Sequence, residues 1–69
     1  MTTTKSQAAE TVADIAEDII AHRGDMADEQ VSRWAAAYTH WRSAVALLTT
    51  AELSDAIHVG RLRVIERDE

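Results

Sequence analysis

Ala27-Asp-Glu-Gln-Val31-Ser-Arg-Trp34-Ala-Ala-Ala-Tyr38-Thr-His-Trp41-Arg-Ser-Ala-Val45-Ala-Leu-Leu48 is the stretch on which the fold turns. Ala27, Val31, Trp34, Tyr38, Trp41, Val45 and Leu48 recur at alternating steps of four and three residues. That is an a/d heptad seam, the spacing that keeps one stripe of a helix against a neighbour. The spacing predicts one helix over residues 26–48, about 34 Å long at 1.5 Å per residue. Asp25 reads as its N-cap, with Asp28 and Glu29 complementing the positive end of the helix dipole.

The flanking segments follow the same logic. Toward the N-terminus, Ala8, Val12, Ile15, Ala16, Ile19 and Ile20 keep helical spacing while Glu10, Asp14, Glu17 and Asp18 occupy the other side. A helix over residues 6–23 results, closed by His22 and Arg23 and by Gly24, which takes positive φ without steric cost. Residues 1–5 are polar and are expected to be frayed and disordered. Toward the C-terminus, Thr49-Thr-Ala-Glu52 has the capping-box spacing, Thr followed three residues later by Glu. A third helix therefore spans about 50–66, carried by Leu53, Ala56, Ile57 and Val64. Gly60 leaves its second half open between helix, turn and short strand.

Composition supports this architecture. Thirteen of 69 residues are Ala, Pro is absent, and Gly occurs twice. The fold class expected is all-α, a helical hairpin or three-helix bundle forming a single domain over residues 6–69. A chain of this size supplies only about 3–5 kcal/mol from one core unless something else assists it. Cys is absent, which removes disulfides and thiolate zinc sites, so self-association is the expected support. Trp34, Tyr38 and Trp41 are all of the aromatic residues, and each buries on the order of 150–250 Å². One short helix offers too little surface for them. A homodimer sharing the seam is the simplest remedy, which makes Val31, Trp34, Tyr38, Trp41, Val45 and Leu48 the candidate interface.

Charge narrows the partner class. The net charge is −5, concentrated in the first 25 residues and the last 19, with the central segment neutral. An acidic chain is a poor match for nucleic acid, since phosphate neutralisation normally drives that binding. Its acidic outer face would instead suit a basic protein partner. No stretch approaches the ~20 apolar residues of a membrane span, and Met1–Lys5 lacks the apolar core of a secretory signal; a cytoplasmic location is expected.

Catalytic constellations are missing from the pattern. There is no Cys, no Gly-x-Ser-x-Gly, no phosphate-cradling glycine loop and no His-Glu-x-x-His. Asp14, Asp18 and His22 share one helix face at i, i+4 and i+8, but no His has the Glu three residues earlier that carboxylate-bridged metal bundles use. They read as a solvated face. No enzyme activity, cofactor or metal is expected.

Thr50-Ala-Glu-Leu-Ser-Asp-Ala-Ile-His-Val-Gly-Arg-Leu-Arg-Val-Ile-Glu-Arg67 resembles the helix-turn-helix of many transcription regulators. The resemblance implies packing by Leu53, Ile57, Val59 and Val64, with Arg61, Arg63 and Arg67 as DNA contacts. It spans 18 of 69 residues. His58 stands where Gly usually turns the chain, Arg67 where an apolar residue packs, and Glu66, Asp68 and Glu69 would lie beside phosphates. The expected function is a small non-enzymatic interaction or regulatory protein, with a helix-turn-helix-like DNA-binding regulator as the alternative.

Overall fold

Two capping boxes organise the chain. In the computed structural model, which describes residues 4–67, Thr4 Oγ1 accepts from the Gln7 backbone N–H at 3.1 Å while Gln7 Oε1 accepts from the Thr4 N–H at 2.9 Å. Thr49 and Glu52 repeat the arrangement at 3.2 and 2.9 Å. Each box satisfies amide donors that a helix start otherwise leaves orphaned. Helix α1 (Lys5–Arg23) follows the first and helix α4 (Thr50–Arg67) follows the second. Thr4 and Lys5 are thus a cap and a helical residue, not frayed chain; residues 1–3 lie outside the described residues. The Thr-x-x-Gln spacing at 4–7 is the signal that reading overlooked.

The apolar face expected of α1 is buried throughout, from Ala8 to Ile20, and Ala13 joins it. Gly24 ends the helix at φ 92°, donating its N–H to Ile20 O at 2.9 Å.

The segment 26–48 is not one helix. It forms α2 (Asp28–Ala35) and α3 (Thr39–Val45), separated at residues 36–38. Tyr38 is extended, φ −84° and ψ 128°. Nothing local breaks the chain there, since Ala36 and Ala37 favour helix. Tertiary packing decides instead. A straight helix of this length would run past α1, whereas the bend wraps both Val31 and Trp41 onto it, 0 % and 5 % exposed. Asp25 is also not the cap of α2. Ala27 holds that position, its N–H reaching Gln30 Oε1 at 3.4 Å, and Asp25 accepts from Arg61 Nε at 2.9 Å.

All-α is therefore the fold class, with four helices among the described residues in place of two or three. Helices α1 and α4 run parallel: Lys5 meets Glu52 near their starts and Glu17 meets Arg67 near their ends. Gly60 lies inside α4, neither a break nor a turn. A Cβ there would sit 2.6 Å from Ala13 O, 2.9 Å from Ala16 Cβ and 3.0 Å from Glu17 N. Only hydrogen fits, and the two helices touch backbone to backbone. The radius of gyration, 11.2 Å, is that of a globular chain of this length by itself, about 11 Å.

Candidate interaction surface

Bending at 36–38 divides the seam by fate. Val31 and Trp41 are buried in the core, and Val45 and Leu48 pack half-buried against it. Trp34 and Tyr38 stay 48 % and 38 % exposed. The six-residue interface expected along one helix does not form as a continuous stripe, because two of its members are spent on the chain's own interior.

Trp34 and Tyr38 are held in place by α1. The guanidinium of Arg23 lies 3.8 Å from the Trp34 ring centroid, a stacking worth about 0.5–1 kcal/mol at an exposed site. Tyr38 donates its hydroxyl to Asp18 Oδ2 at 2.6 Å. That bond, followed by desolvation and the Asp18 charge, pushes the Tyr38 phenol above its ordinary pKa of 10.0. Asp18 Oδ1 also lies 3.3 Å from His22 Nδ1, which contacts Asp18 O at 2.8 Å. The result is an aromatic corner of Trp34, Tyr38 and Arg23, the three residue types enriched in binding hot spots.

The acidic stripe of α1 is not simply a solvated face. Arg63 reaches Glu10 at 3.0 Å and Asp14 at 2.9 Å, with Glu17 at 3.7 Å, and Arg67 reaches Glu17 at 3.4 Å. Asp14 and Asp18 are turned to different partners, Arg63 and Tyr38, and among the described residues no group of His, Asp and Glu converges as a metal site. Paired with Glu10 first and Asp14 next, the Arg63 guanidinium is held charged more firmly than usual. Arg61 is fixed on the other flank of α4. It donates to Asp25 at 2.9 Å, Asp28 at 3.0 Å and Met26 O at 2.7 Å.

These pairings bear on the helix-turn-helix resemblance. Residues 50–67 make one continuous helix, so the two-helix-and-turn geometry is absent from that segment. Arg61 and Arg63 face carboxylates within the chain, and Val59, expected to pack, is 43 % exposed. Among the described residues, Arg23, Arg33 and Arg42 have no carboxylate within ion-pair distance, while Lys5, Arg61, Arg63 and Arg67 do.

A second apolar surface escaped the sequence reading. Val59, Leu62 and Ile65 project from α4 at 43 %, 42 % and 51 % exposure. Val59 borders a shallow groove lined by Ala9, Ala13, Leu48 and Ala56. Spacing of three residues between them was the available signal; Val59 has a packing role only under the helix-turn-helix resemblance. No described helix is long and apolar enough to cross a membrane. Comparison with known proteins found no matching family model, no similar curated protein and no similar solved structure.

Proposed function

We propose that this chain is a small non-enzymatic interaction protein of regulatory type, acting through helix–helix self-association and through binding of a protein partner. The observation that carries this reading is the aromatic corner: Trp34 half-exposed beneath Arg23 and beside Tyr38. Exposing a Trp costs hydrophobic burial that a protein of such small size can hardly spare, and a partner surface recovers it.

Charge shapes the partner. A basic protein would find Glu10, Asp14 and Glu17 already engaged by Arg63 and Arg67. Among the described residues Arg23, Arg33 and Arg42 have no carboxylate partner, which instead favours a binding partner with acidic groups around an apolar centre. We place this role in the cytoplasm, where a chain without Cys forgoes no disulfide. The test is capture of partners by wild type and by Trp34→Glu, compared under identical conditions. A protein retained by the first and lost by the second supports the reading, provided the variant keeps its circular dichroism. Identical capture by both would remove the aromatic corner from the function. DNA mobility shifts at low salt, where phosphate contacts are strongest, would favour the regulator reading instead.

A further inference from the structure

Among the described residues three junctions join the four helices, and two of them carry chemistry that marks a helix end. Gly24 stops α1 at φ 92°, and the Thr49–Glu52 box starts α4. The junction at 36–38 carries none. Ala36 is still helical, φ −58° and ψ −20°, and its N–H donates to Ser32 O at 3.0 Å. Tyr38 makes no side-chain cap for α3, and the Thr39 and His40 N–H groups find no backbone acceptor among the described residues. The backbone leaves the helix at Tyr38, whose ψ is 128° against about −42° in an α-helix. A helical Tyr38 would join α2 and α3 into one helix over residues 28–45, about 27 Å long. The two idle N–H groups would then bond the Ala35 and Ala36 carbonyls.

We infer that the chain exchanges helices with a second copy: residues 36–38 straighten, and each copy lends its α3 and α4 to the α1 and α2 of the other. This rests on the self-association proposed above and gives it a mechanism. The straight helix carries Trp41 away from its own α1, and the same seat stands open on a second copy that has straightened too. Only another copy carries the elements that fit it. The exchanged contacts need no new chemistry. Lys5–Glu52, Arg63 with Glu10 and Asp14, Arg67–Glu17, and Arg61 with Asp25 and Asp28 each join a residue before 36 to one after 38. All of them re-form between copies, which is why exchange of identical elements is a low-cost route to a dimer. The steps of four and three from Ala27 to Leu48 are then met by one continuous helix, and mass action fills this form as concentration rises.

Thr39→Pro separates the two forms. Proline suits the first residue of a helix, where no N–H bond is lost, and it favours an extended residue before it, as Tyr38 is. Within a continuous helix it is strongly unfavourable, so the dissociation constant should rise at least about a hundredfold. Refolded from urea at several hundred micromolar, wild type should contain dimer by sedimentation velocity, and Thr39→Pro should be monomeric with unchanged helical dichroism. Lys5 is the only Lys in the chain and lies 3.2 Å from Glu52, so a carbodiimide joins the two as an amide. In dimer refolded from mixed unlabelled and isotope-labelled chains, that link should connect one kind of chain to the other. A dimer whose Lys5–Glu52 link stays within each chain overturns the exchange while self-association stands. So does a Thr39→Pro chain that associates like wild type. Wild type that stays monomeric under these conditions overturns both.

Discussion

At the scale of single residues, Gly60 sets the distance between the two longest helices. Replacing it with Ala gains about 1 kcal/mol of helix propensity, yet the new methyl meets backbone atoms of Ala13 and Glu17 that cannot rotate away. Overpacking of this kind costs about 1–3 kcal/mol, occasionally more. Gly60→Ala is expected to lose about 2 kcal/mol, seen as a lower urea midpoint; a higher midpoint would mean the helices do not touch there. Tyr38 offers a second residue-level test, since it is the only Tyr in the chain. Its phenol is held above 10.0 by the bond to Asp18. A raised acid contributes stability that is complete below the unfolded value and disappears as pH rises through the folded one. Tyrosinate absorbance should appear at higher pH in the folded chain than in urea, and Tyr38→Phe should abolish the alkaline loss of stability that accompanies it.

Among elements, the divided seam yields opposite expectations for its two Trp residues. Trp41→Ala removes a 5 % exposed core side chain and should cost about 3–5 kcal/mol. That equals the whole stability available to a core of this size, so the variant should lack helical dichroism at 25 °C. Trp34→Ala gives up an exposed stacking contact and should lose about 1 kcal/mol or less. Equal losses would show that the bend at 36–38 is absent. Much of this organisation is legible in the amino-acid sequence. Gly24 and the Thr49–Glu52 box mark helix ends through local chemistry, and the apolar positions of α1 announce their burial by spacing alone. The break at Tyr38 has no such mark. Ala36-Ala37-Tyr38 is acceptable helix, and only the gain from seating Trp41 on α1 opposes it, which is a long-range effect. The same holds for the arginines. Arg61 and Arg63 look free along the sequence because their carboxylates stand 33 to 53 positions away. The aromatic corner was half legible: Trp34 and Tyr38 were singled out, but the Arg23 that stacks on Trp34 belongs to another helix.

For the molecule as a whole, charge pairing crosses between α1 and α4 at three heights, through Lys5–Glu52, Arg63 with Glu10 and Asp14, and Arg67–Glu17. Parallel helices set like dipole ends side by side, and these pairs work against that repulsion. Glu52 is the most informative of them. Its carboxylate is held below the ordinary 4.5, first by the Thr49 backbone N–H and then by the Lys5 ammonium. A depressed carboxylate contributes stability present above the unfolded value and lost as pH falls through the folded one. Melting temperature should therefore decline below pH 4.5, and Glu52→Gln should flatten part of that decline while lowering stability at neutral pH. An unchanged acid profile in the variant would mean the box at 49–52 is open. The parallel contact has a further consequence, for the order in which the fold is made. Gly60 and Ala16 are 44 positions apart, and α1 rests chiefly on α4. Contacts between such distant positions must wait for the intervening chain to be ordered, and folding slows as their share grows. During synthesis α1, α2 and α3 are complete while Ala13 and Ala16 still lack their cover. A chain stopped after Leu48 should remain unfolded, and the finished one should fold in a single step. Until α4 has been made, α1 has only α2 and α3 to rest on and lacks its most extensive contact.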